Sequence, residues 1–369
     1  MRILFASGGT GGHIYPGLTL AKELLARGEH EVLFVGTKRG LEGELVRREG
    51  YPLRFIQSAP LTGGLLKKGA SLFQITRGVF EAKRLLSEFK PHVVVGTGGY
   101  ACGPVVLAAH FAKVPVLLQE QNALPGKTNK ILSRFAQIVA VGYEESRKYF
   151  PERVQGKLIH TGNPIRREII EAEPKPRGKT RILLLGASQG ARRLNQAAVS
   201  LYELAGQGRI ELLHQSGPKL FGEARGQLEK AARSMGGEVK EQGDGVAWRG
   251  VQLYPYLYDM PKAYSEADLV ITRCGAISLA EITALGLPAI LVPYPHAAGD
   301  HQTYNARALA DRGAGILIKD EELTPQRLAQ EVAKLLDSPD VLSQMAAKSR
   351  QLGKRGATDQ IVDLILSLA

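Results

Sequence analysis

The chain has 369 residues, 44% of them hydrophobic and 23% charged, the make-up of a globular protein long enough for two domains or three, each with a full core. A formal net charge of +12 points to an anionic partner, either a phosphorylated substrate, an acidic lipid surface or nucleic acid. Aromatic content of 6%, scattered basic residues and the lack of a nucleic-acid motif argue against nucleic acid, and two distant cysteines, Cys102 and Cys274, exclude a disulfide framework and fit a reducing compartment.

From the N-terminus, the apolar run 3–6 is too short for a signal peptide before glycines begin. It leads into Ser7-Gly8-Gly9-Thr10-Gly11-Gly12-His13 and then a helical stretch, 14–26. Strand, glycine turn and helix start together suit an anion, because backbone N–H groups can approach it and the helix end carries partial positive charge. The spacing is not the dinucleotide G-x-G-x-x-G. His13 adds a group that can take a proton near neutral pH. The plain alternative is a tight turn whose histidine is merely solvated.

Further apolar runs at 32–35, 53–56, 93–95, 114–118, 138–141 and 158–160 alternate with amphipathic stretches. Several are unbroken Val/Ile/Leu runs, as parallel strands covered on both faces require, so the first half reads as a doubly wound α/β domain. The most apolar segment, 105–118, is too short to span a bilayer and carries His110, Lys113 and Pro115, which predicts a protein that is soluble or lies on a surface. Gly98-Gly99-Tyr100 and Gln119-Glu120-Gln121-Asn122 follow strands on the same side as His13, although each alone would pass as an ordinary turn.

Two prolines among charges at 173–179 read as a linker, after which the pattern restarts. A strand at 182–185 opens Gly186-Ala187-Ser188-Gln189-Gly190, and strands follow at 210–213, 251–253, 269–272, 289–292 and 315–318. The turn matches the G-x-S-x-G elbow of serine hydrolases, with Asp268 or Asp300 and His301 in a workable order. A phosphate cradle at the head of a second domain is the preferred reading. Arg273-Cys274-Gly275 precedes a helix in which Ser278 and Glu281 share a face, suiting a phosphate and a ribose, or else forming an ordinary capping pair. The stretch from His296 to Asn305 lacks the H-E-x-x-H spacing of a metal site, and Gln302 and Asn305 suit sugar hydroxyls better. The tail from about 339 is helical and is expected to return to the first domain.

Taken together, Gly-Gly-Thr-Gly-Gly-His at 8–13, Gly-Gly-Tyr at 98–100, Glu-Gln-Asn at 120–122, Gly-Asn-Pro-Ile-Arg at 162–166, Gly-Ala-Ser-Gln-Gly-Ala at 186–191 and Asp-His-Gln-Thr-Tyr-Asn-Ala at 300–306 resemble the MurG family, the peptidoglycan N-acetylglucosaminyltransferases that convert lipid I to lipid II. The resemblance runs through essentially the whole chain. It implies an α/β GT-B fold of two Rossmann-like domains facing a cleft. They comprise an N-terminal acceptor and membrane-docking domain (1–162), with a C-terminal helix (348–369) packed back on it, and a C-terminal UDP-sugar domain (163–347). It implies an inverting transfer from UDP-N-acetylglucosamine to the muramyl 4-hydroxyl of lipid I. No cofactor is required, a non-essential divalent cation being the one addition it allows. The expected location is peripheral, on the cytoplasmic face of the plasma membrane. Expected partners are an anionic phospholipid surface and cell-wall synthesis and division proteins, with no nucleic acid.

Carried over by position, donor contacts fall on Thr10, Gly11, Gly12, Asn122, Arg166, Ser188, Leu257, Ala276, Ile277, Ser278, Leu279, Ala280, Glu281 and Gln302. Acceptor contacts fall on His13, Gly99, Tyr100 and Glu120. His13 and Glu120 are the two candidates for the general base. Cys102 departs from the small residue, often serine, expected there. A same-fold sugar-nucleotide 2-epimerase would need carboxylates where this chain has glycine and glutamine. Residues 65–86 set apolar side chains, Leu72, Ile75, Val79 and Phe80 among them, between Lys67, Lys68, Arg77, Lys83 and Arg84, the composition of a surface-lying membrane helix or of a plain amphipathic one.

Overall fold

The computed structural model describes residues 1–59, 65–172, 178–186 and 190–369, together with the side chains of these residues except 65–70 and 72. Most of the expected linker, 173–177, and the turn residues 187–189, Ser188 among them, therefore lie outside the described residues. By packing, the chain divides into one unit of Met1–Arg166 with Lys354–Ala369 and another of Arg167–Gly353.

Among the described residues the first unit carries seven strands: β1 (Arg2–Ser7), β2 (Glu31–Gly36), β3 (Leu53–Phe55), β4 (Val93–Gly98), β5 (Val116–Glu120), β6 (Ile138–Val141) and β7 (Leu158–His160). All pair in parallel, in the order β3-β2-β1-β4-β5-β6-β7. The unbroken apolar runs are explained by burial on both faces. Ile3, Phe5, Phe34 and Val95 face one core, and Leu4, Val94, Val116 and Leu118 face the other.

The second unit carries β8 (Arg181–Leu185), β9 (Glu211–Gln215), β10 (Lys240–Gln242), β11 (Gly245–Trp248), β12 (Val251–Tyr254), β13 (Leu269–Thr272), β14 (Ala289–Leu291) and β15 (Gly315–Leu317), in the order β10-β11-β12-β9-β8-β13-β14-β15. The pairs from β12 to β15 are parallel. The β10–β11–β12 edge is antiparallel and was not anticipated, because Lys240-Glu241-Gln242 has no apolar pattern.

Strand order reverses beside β1 in the first unit, between β2 and β4, and beside β8 in the second, between β9 and β13. At such a switch the following chain segments leave toward opposite faces and open a crevice beyond the carboxyl ends of the strands.

The tail corrects the expectation of one returning helix from about 348. Pro339–Leu352 belongs to the second unit and Ala357–Leu366 to the first. The break falls at Gly353, where a Cβ would lie only 2.8 Å from Ala284 Cα and against the Thr283 carbonyl. The last helix joins the core of the first unit through Ile361, Val362 and Ile365. It is tied there by buried Thr358, whose hydroxyl donates to Ile165 O (2.7 Å) and accepts from Ile165 N (2.8 Å). Arg27 adds bonds to Asp363 (2.7 Å) and Asp359.

Thr358→Val should leave both backbone groups of Ile165 unpaired and cost about 1–3 kcal/mol. Hydrogen exchange should speed up in peptides from residues 357–366 while peptides from the second unit stay unchanged. Unchanged exchange in both would show that the threonine does not hold the tail.

Candidate active site

In the first unit the switch point is occupied by the two glycine turns. Thr10 is extended (φ −121°, ψ 160°) and starts the helix Gly11–Ala26, with its carbonyl accepting from the His13 and Ile14 amides at 3.0 and 3.2 Å. Thr10 and Gly12 are exposed, and His13 is half-buried. His13 Nδ1 lies 3.2 Å from Gly8 O and 3.4 Å from Thr10 Oγ1. A carbonyl only accepts, so this contact places the ring proton on Nδ1 and makes Nε2 the basic nitrogen. Nε2 faces Gly98, where a Cβ would come within 3.1 Å of it and 2.7 Å of Cδ2, and the φ of +105° there independently favours glycine. The His13 carbonyl accepts from Thr97 Oγ1 at 2.7 Å, and Thr97 in turn meets Ser7 Oγ at 2.6 Å. Strands β1 and β4 therefore fix the histidine from both sides. Gly99 packs on the Gly8 carbonyl, and exposed Tyr100 follows it.

Glycine turns do not hold themselves, and here a residue absent from the sequence reading does so. Glu42 is fully buried, and its Oε1 accepts from Gly9 N (3.0 Å), Thr37 N (3.1 Å) and Thr37 Oγ1 (3.3 Å). The Gly9 carbonyl accepts from Leu41 N at 3.3 Å. Room for the carboxylate exists because positions 8, 36 and 40 are glycines; a Cβ on Gly8 or Gly36 would lie 2.7 Å from Glu42 atoms. Its Oε2 has no hydrogen-bond partner among the described residues. The only sequence signal was an acidic residue in the first turn of a helix, which reads as solvated.

Glu120 ends β5 and is 1% exposed. Its Oε1 accepts from Asn122 N (2.9 Å) and Nδ2 (3.3 Å), and its Oε2 from Asn129 Nδ2 (2.9 Å) and Gly126 N (3.1 Å). Burial pushes its pKa up, against the opposing pull of these bonds. The carboxylate thus braces the loop that presents half-buried Asn122. Cys102 is fully buried, with its thiol pushed up to about 12 by burial, and packs against Gly96 as a core side chain. Arg166, exposed, is the last residue of this part of the unit.

In the second unit β8 delivers Gly186, and β13 delivers Arg273, Cys274 and Gly275 before the helix Ala276–Leu285. The helical ladder begins with the Leu279 amide on Gly275 O (3.0 Å), so the Ile277 and Ser278 amides stand ahead of it, at the positive end. Ile277, Ser278 and Ala280 are partly exposed, whereas Ala276 and Leu279 pack inward. Glu281 is 6% exposed and takes the Tyr264 hydroxyl on Oε2 (3.1 Å). Gln302 Oε1 accepts from Cys274 N (3.1 Å) and Tyr294 N (2.9 Å), which locks two turns together and leaves Nε2 as its donor toward a ligand. Asn305 holds Cys274 O from below (3.1 Å). Leu257 N donates to Gln215 Oε1 at 3.1 Å, so the carbonyl is the backbone group this residue can offer.

Among the described residues, neither Asp268 nor Asp300 pairs with His301 as a hydrolase triad requires. Asp268 precedes β13 and accepts from the backbone of Arg181, at the amino end of the sheet, whereas Gly186 leaves the carboxyl end. Asp300 accepts from Thr303 (2.7 Å), and His301 Nδ1 meets Ala298 O (2.9 Å).

Two domain models of glycosyltransferase family 28 match the chain, the N-terminal one over residues 3–141 and the C-terminal one over 181–361. The chain is 40% identical, over 99% of its length, to the UDP-N-acetylglucosamine--N-acetylmuramyl-(pentapeptide) pyrophosphoryl-undecaprenol N-acetylglucosamine transferase of Halothermothrix orenii, covering 98% of that protein. Its identity to the protein of the same name from Desulforudis audaxviator is 43% over the whole chain and 99% of the relative. The crystal structure of Acinetobacter baumannii MurG aligns over the whole of both chains with a TM-score of 0.78 at 32% identity. The UDP-GlcNAc 2-epimerase of Neisseria meningitidis, with a TM-score of 0.65 at 16% identity over both whole chains, shares the fold alone.

Glu42→Ala should free the Gly9 peptide and lower stability by about 1–3 kcal/mol, whereas Glu42→Gln, which keeps an acceptor at Oε1, should lose less. The measurement is urea unfolding together with hydrogen exchange of residues 8–12. Equal effects of the two substitutions would remove the hydrogen bonds as the reason for the carboxylate.

Proposed function

The chain belongs to glycosyltransferase family 28, and from that premise we propose that it transfers N-acetylglucosamine from UDP-N-acetylglucosamine to N-acetylmuramyl-(pentapeptide) pyrophosphoryl-undecaprenol, making the lipid-linked disaccharide of peptidoglycan. The observation that carries this reading is full-length identity of about two residues in five to transferases of that name. No observation favours the hydrolase or the epimerase.

In the proposed reaction the muramyl 4-hydroxyl oxygen bonds to the anomeric carbon. The bond from that carbon to the β-phosphate oxygen breaks, and UDP leaves with the electron pair. The sugar configuration inverts, and the hydroxyl proton goes to a base. His13 is that base: Nδ1 is occupied by Gly8 O, and Nε2 carries the lone pair. Glu120, buried and accepting four hydrogen bonds, acts by holding Asn122 and its loop. The negative charge on departing UDP is met by the first-turn amides and Ser278 of the helix Ala276–Leu285, by Arg166 and by Ser188. Glu281 takes the ribose hydroxyls, Gln302 Nε2 the sugar, and the Leu257 carbonyl the uracil N3–H. Thr10, Gly11, Gly12 and Asn122 complete the donor contacts, and Gly99 and Tyr100 receive the acceptor.

Mass spectrometry of a lipid I analogue incubated with UDP-N-acetylglucosamine should detect the disaccharide. His13→Ala should lower kcat by roughly a hundredfold or more while the Kd for UDP stays within about twofold. Retained turnover would return the base role to Glu120, and absence of transfer by a wild-type protein that binds UDP would overturn the acceptor assignment.

Among the described residues no helix is long and apolar enough to cross a membrane. A lipid-linked acceptor nevertheless requires contact with the bilayer, and the helix Leu65–Phe89 supports a docking role. Phe73 and Phe80 stand 69% and 68% exposed, and Arg77, Lys83 and Arg84 are interleaved with them. Arg77 and Arg84 are partly neutralised by Glu81 and Glu88 one turn on (3.2 and 2.7 Å), so the aromatic pair adds to an attraction that the remaining basic residues supply. The side chains of Lys67 and Lys68 lie outside the described residues. The protein should sediment with anionic liposomes and release in high salt. Changing Lys67, Lys68, Lys83 and Arg84 to Glu should abolish sedimentation without affecting UDP binding, and wild-type sedimentation of that variant would place docking elsewhere.

A further inference from the structure

The core of the second unit contains a chain of buried polar side chains to which the mechanism assigns no part. Tyr202 and His214 are 0% exposed and Asn195 is 1% exposed. Tyr202 Oη lies 2.9 Å from His214 Nδ1, His214 Nε2 lies 3.0 Å from Asn195 Oδ1, and Asn195 Nδ2 donates to Ser216 O at 3.0 Å. The direction of every bond follows from its far end. The Ser216 carbonyl only accepts, so the amide nitrogen of Asn195 faces it and the amide oxygen faces the ring. His214 therefore donates from Nε2 and accepts from the tyrosine at Nδ1. Burial depresses His214 to about 3 and raises Tyr202, so neither group titrates near neutrality and this polarity is permanent.

Three apolar side chains would fill the same space at less cost in desolvation, so the polar chain calls for a reason. Its end point supplies one. Gly186 N donates to Gln215 O (3.1 Å), and Gly190, at φ +83°, packs on the Ser216 carbonyl with its Cβ position 3.1 Å from Gly217 Cα. Gly186 and Gly190 therefore both rest on residues 215–217. The same three residues hold the segment that leads to Leu257: Ser216 N donates to Tyr254 O (3.0 Å), Gly217 N to Pro255 O (3.1 Å), and Gln215 Oε1 accepts from Leu257 N (3.1 Å). Asn195 itself sits on the helix that follows the turn, Arg192–Ala197.

We propose that Tyr202, His214 and Asn195 are positioning residues for the nucleotide, setting the spacing between the phosphate-side glycines Gly186 and Gly190 and the base-side segment at Leu257 by fixing the Ser216 carbonyl between them. The inference rests on the donor reading given above. A rigid spacing matches one distance between diphosphate and base, so loss of the chain raises the cost of ordering the site when donor binds.

The test uses the full chain with Tyr202→Phe, which removes one hydroxyl, and with the apolar triple Asn195→Leu, His214→Leu, Tyr202→Phe. The readouts are the Kd for UDP by calorimetry, KM for each substrate, kcat and Tm, all taken well below the transition. The KM for UDP-N-acetylglucosamine and the Kd for UDP should rise about three- to tenfold in Tyr202→Phe and more in the triple, with acceptor KM unchanged and kcat within about twofold. A purely structural role would lower Tm and leave Kd and KM of the folded protein at wild-type values, and that result overturns the proposal. If the triple does not fold, Tyr202→Phe decides alone. Failure of the wild-type protein to bind UDP would overturn the donor reading itself, a separate outcome, and this inference with it.

Discussion

Everything in the described site depends on where a parallel sheet reverses its strand order. β1 has β2 on one side and β4 on the other, and β8 likewise separates β9 from β13. Segments leaving adjacent strands at such a place diverge, so backbone amides at their ends are left facing outward instead of pairing with one another. Gly8 and Gly98 lie at the first switch, Gly186 and Gly275 at the second. Thr10 and His13 follow Gly8, Tyr100 follows Gly98 and Ser278 follows Gly275 within a few residues.

Exposed glycine backbone is a poor scaffold by itself, because glycine loses more conformational freedom on folding than any other residue. The structure offsets this with polar side chains, Glu42, Glu120 and Asn305 buried and Gln302 half-buried, that bond to backbone groups of these segments. Glu42 grips Gly9, Glu120 grips the Asn122 loop, and Gln302 and Asn305 grip Cys274. Glu42, Gln302 and Asn305 reach the turn from a separate segment, whereas Glu120 stands at the start of the loop it holds. Such bonds are strong where solvent is excluded, and they hold the loop whether or not ligand is present. The outward surface of the turn is thereby left for the ligand while its inner surface carries the structural bonds.

This arrangement also explains what the sequence disclosed. Parallel strands buried on both faces must be continuous in Val, Ile and Leu, so β1, β6 and β13 are visible without any partner being known. Turn glycines and a helix-starting histidine are local features, and Gly8 to His13 could be found for that reason. Glu42 could not, since its inward orientation depends on glycines at 8, 36 and 40 whose proximity is created by folding. His214 was hidden in the same way within an ordinary strand. The hairpin β10–β11 did carry a turn signal, Gly243-Asp244, but Lys240-Glu241-Gln242 lacks an apolar face and lies at a sheet edge. The break at Gly353 was missed because a glycine near a helix end is common, and only the approach of Thr283 and Ala284 makes it necessary.

The same contrast separates groups that hold from groups that react. A proton carrier needs one part fixed and another accessible, with a pKa that allows both states near neutrality. Glu120 has both carboxylate oxygens taken by bonds from its own loop and no exposed surface to speak of. His214 is sealed in the core and held neutral. Glu42 is buried beneath the loop it supports. His13 differs from all three in being half-buried, with Nδ1 against Gly8 O and the opposite edge of its ring passing over Gly98, where any Cβ would displace it. Its ring is held by the Gly8 carbonyl just beyond β1, and its backbone carbonyl by the Thr97 hydroxyl on β4. What separates His13 from the other three is its partial exposure beside the glycine turns, on which its proposed part in the transfer rests.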